Sequence, residues 1–371
     1  MCTVEFYEFI PRHLNKNGLF VQWIQLYEID EFQVASILNA LTPAFSDAGA
    51  WLSNGSDLLI VASPSGALPA LHLERLMESP PLREELASIG ITGTDQLAFR
   101  KIADMKMLRA LGDVYKGLPV NSDFHPVLSL QAPKARFKHE NADGIISLPF
   151  QAPQTLELMG IRTPLGSSSA PSLLGHFSAD LITQRARAIS AELRGEDTTP
   201  FMTGLEPSKA IVPATLLKAA VPPCTRAWSN AETYTLITRM REVADLTLAF
   251  LPIGMQDGVF INPKWIRCGE ANKELTLTLS MLSAMARRDV QQIEETSREW
   301  LGTEFENTLL REEFASLAIS GLSLSLATQN RWEEVLALED RYAGKVRLTG
   351  AYLQQQLLLV SMAKASLKKT N

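Results

Sequence analysis

The chain has 371 residues, a formal charge of −6 and 46% hydrophobic content, enough for at least one full core and for two or three domains. That acidic balance supplies no overall basic field, so neither a nucleic-acid nor a membrane partner is expected. Three widely spaced cysteines, Cys2, Cys224 and Cys268, suit a reducing compartment and exclude a C-x-x-C metal or redox pair; they read as buried or partly buried thiols. Met1 to Arg12 carries Glu5 and Glu8 and no signal-like apolar core. The apolar windows Leu246 to Ile253 and Gly350 to Met362 are too short or are broken by Gln354, Gln355 and Gln356, so no membrane span is expected. The cytoplasm is the expected location.

In chain order, Val4 to Leu14 reads as a short helix with Phe6, Phe9, Ile10 and Leu14 on one side. The turn run Asn15-Lys16-Asn17-Gly18 ends it, and Leu19 to Leu26 follows as a buried, continuous apolar strand. Asp30 caps a helix from Glu31 to Phe45 with Phe32, Val34, Ile37, Leu38 and Leu41 facing inward. Trp51-Leu52 and Leu58 to Ala62 are two strands around Ser53-Asn54-Gly55-Ser56. The order α-β-α-β-β is how many doubly wound sheets finish, with a last crossover helix and a hairpin whose final strand runs antiparallel.

From Pro64 to Pro133 the pattern becomes helical and irregular. His72 to Met77, Pro81 to Ile89 and Thr94 to Leu111 read as helices, and Gly117 to Pro133, with Pro119 and Pro126, as an extended segment. Residues 134–172 hold Pro149, Pro153, Pro164, Pro171 and Ser167-Ser168-Ser169 and read as a linker. Beyond Ser172, helical spacing recurs over Leu173–Leu193, Ala231–Leu251, Ala271–Ala286, Val290–Leu301, Leu309–Thr328, Trp332–Tyr342 and Gly350–Leu367. The reading is therefore a partial Rossmann-like α/β sheet over 1–63, an irregular extension over 64–133, a linker over 134–172 and an α-helical domain over 173–371.

Several features together resemble the late sheet region of the spermidine synthase (polyamine aminopropyltransferase) family, particularly members fused to other segments. They are the helix from Glu5-Phe6-Tyr7 to Leu14, the turn Asn17-Gly18, the strand ending in Gln22-Trp23, and Tyr27 before Asp30. Leu58 to Ser63 looks like the last strand of that domain, and Val120-Asn121-Ser122-Asp123-Phe124-His125-Pro126 like its later Asn-Thr-Asp-Asp-x-Pro segment. The likeness covers the first third of the chain and implies a methyltransferase-type sheet. A second likeness, to the tetratricopeptide repeat, rests on Leu322, Ser323, Leu326, Asn330, Trp332 and Val335, with Glu339 where a large apolar residue is usual.

In the family, the glycine-rich turn, the acidic residue that holds the ribose and the gate-loop aspartate all precede the Gln-Trp strand. Here no G-x-G-x-x-G occurs anywhere in the sequence. The resemblance therefore carries over no catalytic residue and no cofactor site; decarboxylated S-adenosylmethionine is the substrate it implies if the activity is present. Gln22, Trp23, Tyr27 and Asp123 are the candidates for one wall of an amine or nucleoside pocket near the carboxyl end of the strand. Against that, the plainer reading of Trp23 is a core residue at a strand end, and that of Asp123 and His125, beside Asn121 and Pro126, is the making of turn hydrogen bonds.

The five histidines, His13, His72, His125, His139 and His176, lack metal-ligand spacing, so no metal is expected. Arg185, Arg187 and Arg194 read as a solvated helix face. Two functions stay open. One is a partial or degenerate aminopropyltransferase that needs an upstream half; the other is a non-enzymatic helical module with a protein partner. A sheet without its first strands would leave Leu19 to Leu26, a central parallel strand, with an unpaired edge, which favours association.

Overall fold

A computed structural model describes residues 2–53, 56–69, 73–88, 91, 98–162, 178–223, 225–226, 228–266 and 273–368. They fall into two units, Met1–Pro149 with Gly160–Thr163 and Leu357–Asn371, and Phe150–Met159 with Pro164–Gln356. The chain is mixed α/β in the first and helical in the second.

The first unit opens with α1 (Val4–Phe9), where the Thr3 side chain accepts from the Phe6 amide at 3.3 Å and sets the start. A 3-10 turn, Ile10–His13, and a loop lead to β1 (Phe20–Gln25). Asp30 then caps α2 (Glu31–Leu41) by accepting from the Gln33 amide at 2.7 Å. The hairpin β2 (Asp47–Leu52) and β3 (Asp57–Ser63) follows, then α3 (Leu73–Glu78) and α4 (Pro80–Ser88). β4 (Lys101–Asp104), α5 (Met105–Val114) and α6 (Val127–Lys138) complete the succession.

The sheet order is β1-β3-β2-β4, and every neighbouring pair is antiparallel. The short β2–β3 connection permits only a hairpin, so β3 returns into the slot beside β1 and separates two strands that run the same way. The parallel neighbour expected for Leu19 to Leu26 is thus absent among the described residues. Register gives the sheet two faces. Phe20, Gln22 and Ile24 lie beside Ala62, Ile60 and Leu58, and those beside Ala48, Ala50 and Leu52; this face is largely buried. It carries the helix layer, in which the Phe6 and Tyr7 rings of α1 meet Phe20 and α5 packs on α2, β2 and β4.

Several expectations are corrected. β1 is not buried on both sides, because Val21 and Trp23 point to the opposite, open face. On α1 the fully buried residue is Tyr7, whereas Phe9 is exposed. Phe32 is half-exposed, since its ring packs edge-on against Tyr115 and over Gly117, where a Cβ would come within 2.6 Å of it. The helix expected over Thr94 to Leu111 contains β4, and Asp104 caps α5 by accepting from the Met107 amide at 2.8 Å. The segment read as extended, and the linker after it, hold α6 with Pro133 inside, and single turns at Asp143–Ile146 and Thr155–Leu158. Ala142, Ile145, Leu148 and Leu156 are buried there, which a linker would not do. Ser167-Ser168-Ser169, Cys224, Cys268, His72 and His176 lie outside the described residues; Cys2 is a free, partly buried thiol.

The second unit consists of α7 (Ser178–Arg194), α8 (Val212–Ala220), α9 (Asn230–Thr247), α10 (Lys273–Arg287), α11 (Val290–Gly302), α12 (Thr308–Thr328) and α13 (Trp332–Tyr342). The first residues of α14 (Gly350–Lys368) belong here and the rest to the first unit. α10 to α13 are joined by short turns and pack in succession, α10 on α11, α11 on α12 and α12 on α13. Their core centres on Met281, Leu282, Ile293, Trp300, Phe314 and Leu317. Arg187 corrects the expected solvated basic face: α7 is buried around Ala186, Ala188 and Ile189, and Arg187 with it.

Candidate functional site

The candidate wall is built on α1 and β1. Tyr7 lies on the inward side of α1, and its Oη donates to Gln22 Oε1 at 3.3 Å. Gln22 Nε2 in turn donates to the Trp23 carbonyl at 2.7 Å, which holds the amide group along the strand. Burial, with the Cys2 thiol close by, holds the Tyr7 phenol far above its ordinary pKa, so it stays a neutral donor.

At the other end of α1, Glu5 Oε2 accepts from the Asp123 amide at 3.0 Å, and this bond holds the Glu5 carboxyl below its usual range. Asn121 secures the same segment. Its Nδ2 donates to the Cys2 carbonyl at 2.7 Å, and its Oδ1 accepts from the Leu128 amide at 3.2 Å. Ser122 and His125 close a turn through the Ser122 amide and Oγ. Asp123 is therefore fixed by its backbone, while its carboxylate and the His125 imidazole face solvent. α1 thus joins two of the four candidates, Gln22 through Tyr7 and Asp123 through Glu5.

The Trp23 ring and Tyr27 stand apart from these bonds. Trp23 is 50% exposed in mid-strand, which removes the reading of it as a core residue within these residues. Tyr27, also exposed, follows the carboxyl end of β1 and bridges to Asn141. There Glu28 pairs with Arg136 at 3.3 Å, Asp30 caps α2, and Glu31 Oε1 accepts from the Gly144 amide at 2.7 Å. Tyr7, Glu5 and Asn121 are the positioning groups that the sequence reading passed over. A tyrosine at an inward position of a short helix before a strand was the available signal for the first.

Cavities among the described residues lie elsewhere. One of about 360 Å³ in the first unit lies between α5 and Ser361–Ser366 of α14. Its Asp104 is occupied as a cap, and its Asp47 accepts from the Ala48 and Leu68 amides. A broad depression of about 750 Å³ in the second unit is lined by Phe260, Asn262, Ser283, Arg287 and Glu295 among others. Among the described residues no group of three His, Cys, Asp or Glu is placed to hold a metal ion, and no helix is long and apolar enough to cross a membrane. Comparison of the chain with models of known families, with curated proteins and with solved structures finds no match.

Proposed function

We propose that the first unit is the closing portion of a Rossmann-like, methyltransferase-type sheet of the spermidine synthase kind, and that it supplies one wall of an aminopropyl-transfer site in a cytoplasmic protein. The observation that supports this reading is the path β1–α2–β2, two strands of one direction joined by a crossover helix, with β3 inserted antiparallel between them. Ligands of open α/β sheets collect at the carboxyl ends of such strands, where Tyr27 lies.

In the reaction, an amine nitrogen attacks the aminopropyl carbon bonded to the sulfonium of decarboxylated S-adenosylmethionine. The carbon–sulfur bond breaks, methylthioadenosine leaves, and the nitrogen gives up a proton. Trp23 on the open face and Tyr27 beyond the strand end offer aromatic faces to the cationic amine, an attraction of about 0.5–2 kcal/mol, while Gln22, on the opposite face with its amide bonded to Tyr7 and to the Trp23 carbonyl, supports the strand from behind. No residue here is assigned as the base that orients the amine, and no cofactor is assigned; both functions belong to a complementary α/β half with a glycine-rich turn.

The test is reconstitution. The purified chain is mixed with the strand-forming first half of a spermidine synthase, and methylthioadenosine release from decarboxylated S-adenosylmethionine and putrescine is measured. Release that falls with Trp23→Ala supports the reading; a folded complex that releases none removes it. A second reading, a non-enzymatic interaction module, draws on the successive hairpins α10 to α13. It gains if reconstitution is silent.

A further inference from the structure

The helix α6 carries apolar residues on two opposite sides. Val127, Leu128 and Ala135 turn inward, against a layer that includes α2, and Val127 and Ala135 are buried. On the other side Leu130, Pro133 and Phe137 follow one another down the helix, with Pro126 at its cap one turn earlier; spacings of four, three and four set them in a line. All four are exposed, Leu130 by 64% and Phe137 by 86%, and Phe124, just ahead of the line, by 86%. Single exposed apolar side chains are ordinary, but a line of them about 17 Å long is a contact surface. The helix beneath it is anchored at both ends. Asn121 ties its start to the Cys2 carbonyl, and the Ala142 amide just past its end donates to the Leu26 carbonyl at 2.9 Å.

Charge is divided along this line. At its start stand Asp123 and Glu5, whose carboxylate accepts from the Asp123 amide. Toward its end stand Lys134, Arg136 and Lys138. Arg136 pairs with Glu28 at 3.3 Å and Lys138 with Glu140 at 3.2 Å, but with the cations 75% and 64% exposed these pairs hold them loosely. An anionic membrane is repelled by the acidic start, and a partner of uniform charge suits one end only. A surface with an acidic start and a basic end is complemented by itself, turned end for end.

We infer that α6 is the contact surface of a homodimer, in which two copies lay their α6 lines together antiparallel about a two-fold axis near Leu130 and Pro133. Phe137 of one copy then meets Phe124 and Pro126 of the other, Lys138 comes against Asp123, and the two helix dipoles oppose. The five apolar side chains of each copy bury on the order of 1,000 Å² over the pair, the low end for a specific interface. The dimer is therefore reversible, with a dissociation constant of about 1–100 µM.

The sheet offers a rival geometry. β1, six uncharged residues at one edge, is the better edge for pairing, since β4 at the other is four residues long with Lys101 and Asp104 at its ends. Sedimentation velocity of the full chain from about 1 to about 500 µM distinguishes the two. The expected result is a monomer–dimer equilibrium that Leu130→Lys, which places two cations beside the axis, and Phe137→Ser each weaken by about tenfold or more, both variants folded by circular dichroism. Val21→Lys, on β1, leaves it unchanged. Asp123→Lys and Lys138→Glu each weaken the homodimer, and mixing the two restores association, because every contact between them again joins opposite charges. A folded chain that stays monomeric throughout, a dimer that the α6 variants leave intact, or charge variants whose mixture associates no better than either alone overturns the inference.

Discussion

Replacing Tyr7 with phenylalanine separates what its ring does from what its hydroxyl does. The ring meets Phe6 at 5.5 Å and Phe20 at 5.9 Å, both edge-on, and phenylalanine keeps these contacts. Only the hydroxyl bond to Gln22 is lost, and at 3.3 Å it is a long one, so the variant is less stable by about 1 kcal/mol near neutral pH. Alanine, which also empties the ring site, costs about 3–5 kcal/mol. The two tyrosine states diverge in alkali. An unfolded tyrosine releases its proton at the ordinary value of 10.0, whereas the buried phenol holds its proton well beyond it. The tyrosine's contribution is therefore complete below that value and declines as pH rises past it, by about 1.4 kcal/mol per unit. The phenylalanine variant has no such decline, so the two stabilities cross near pH 11. Urea unfolding followed by circular dichroism at about pH 8 and about pH 11.5 measures this, and the comparison cancels Tyr352 and every other group common to both chains. A gap between the two chains that stays constant over that range would refute the reasoning.

Glu157 and Arg288 form a buried pair at 2.5 Å, with side-chain exposures of 4% and 5%. Glu157→Ala strands the guanidinium and lowers the stability of the second unit by about 3–5 kcal/mol, and the Glu157→Ala, Arg288→Ala double variant loses less than the sum of the singles in urea unfolding. Glu232, bonded to Arg226 and to the Ser229 cap at the start of α9, has its pKa lowered from 4.5 to about 2. Its contribution is present above the first value and lost as pH falls toward the second, which hydrogen exchange at the first turn of α9 should show as a rise in that window. Gly321→Val lowers the melting temperature, because even the Cβ there meets Met285 Cε, Ser297 Oγ at 3.2 Å and Ile293 Cγ2 at 3.3 Å, and the branched methyls add an overpacking of about 1–3 kcal/mol.

Most of the helical half was legible because its helices announce themselves by spacing; α8 (Val212–Ala220), with Pro213 in its first turn, was missed. Trp332–Tyr342 was read without a residue's error. The misreadings have particular causes. Ile102, Met105, Leu108 and Leu111 fit a helical period, which hid β4; Asp104 is a cap and not an interior residue. Pro133 argued against a helix, yet it sits at an exposed position of α6. Glu339, out of place in a tetratricopeptide unit, accepts from Gln356 Nε2 at 2.8 Å, and Gln356 also receives Ser323 Oγ at 2.8 Å. No one-dimensional pattern reports such a partnership across the fold. Of the candidate wall, the sequence marked Gln22, Trp23, Tyr27 and Asp123; the bonds that hold two of them come from Tyr7 and Glu5, whose roles depend on how α1 lies on β1.

The contrast between the edges of the sheet also limits what any assembly can become. A strand ladder propagates only when each new member offers a fresh edge beyond the one it occupies. Here the far edge is β4, short and with Lys101 and Asp104 at its tips, so a strand that paired with β1 would join a sheet whose other edge, three strands further on, is poorly built for pairing.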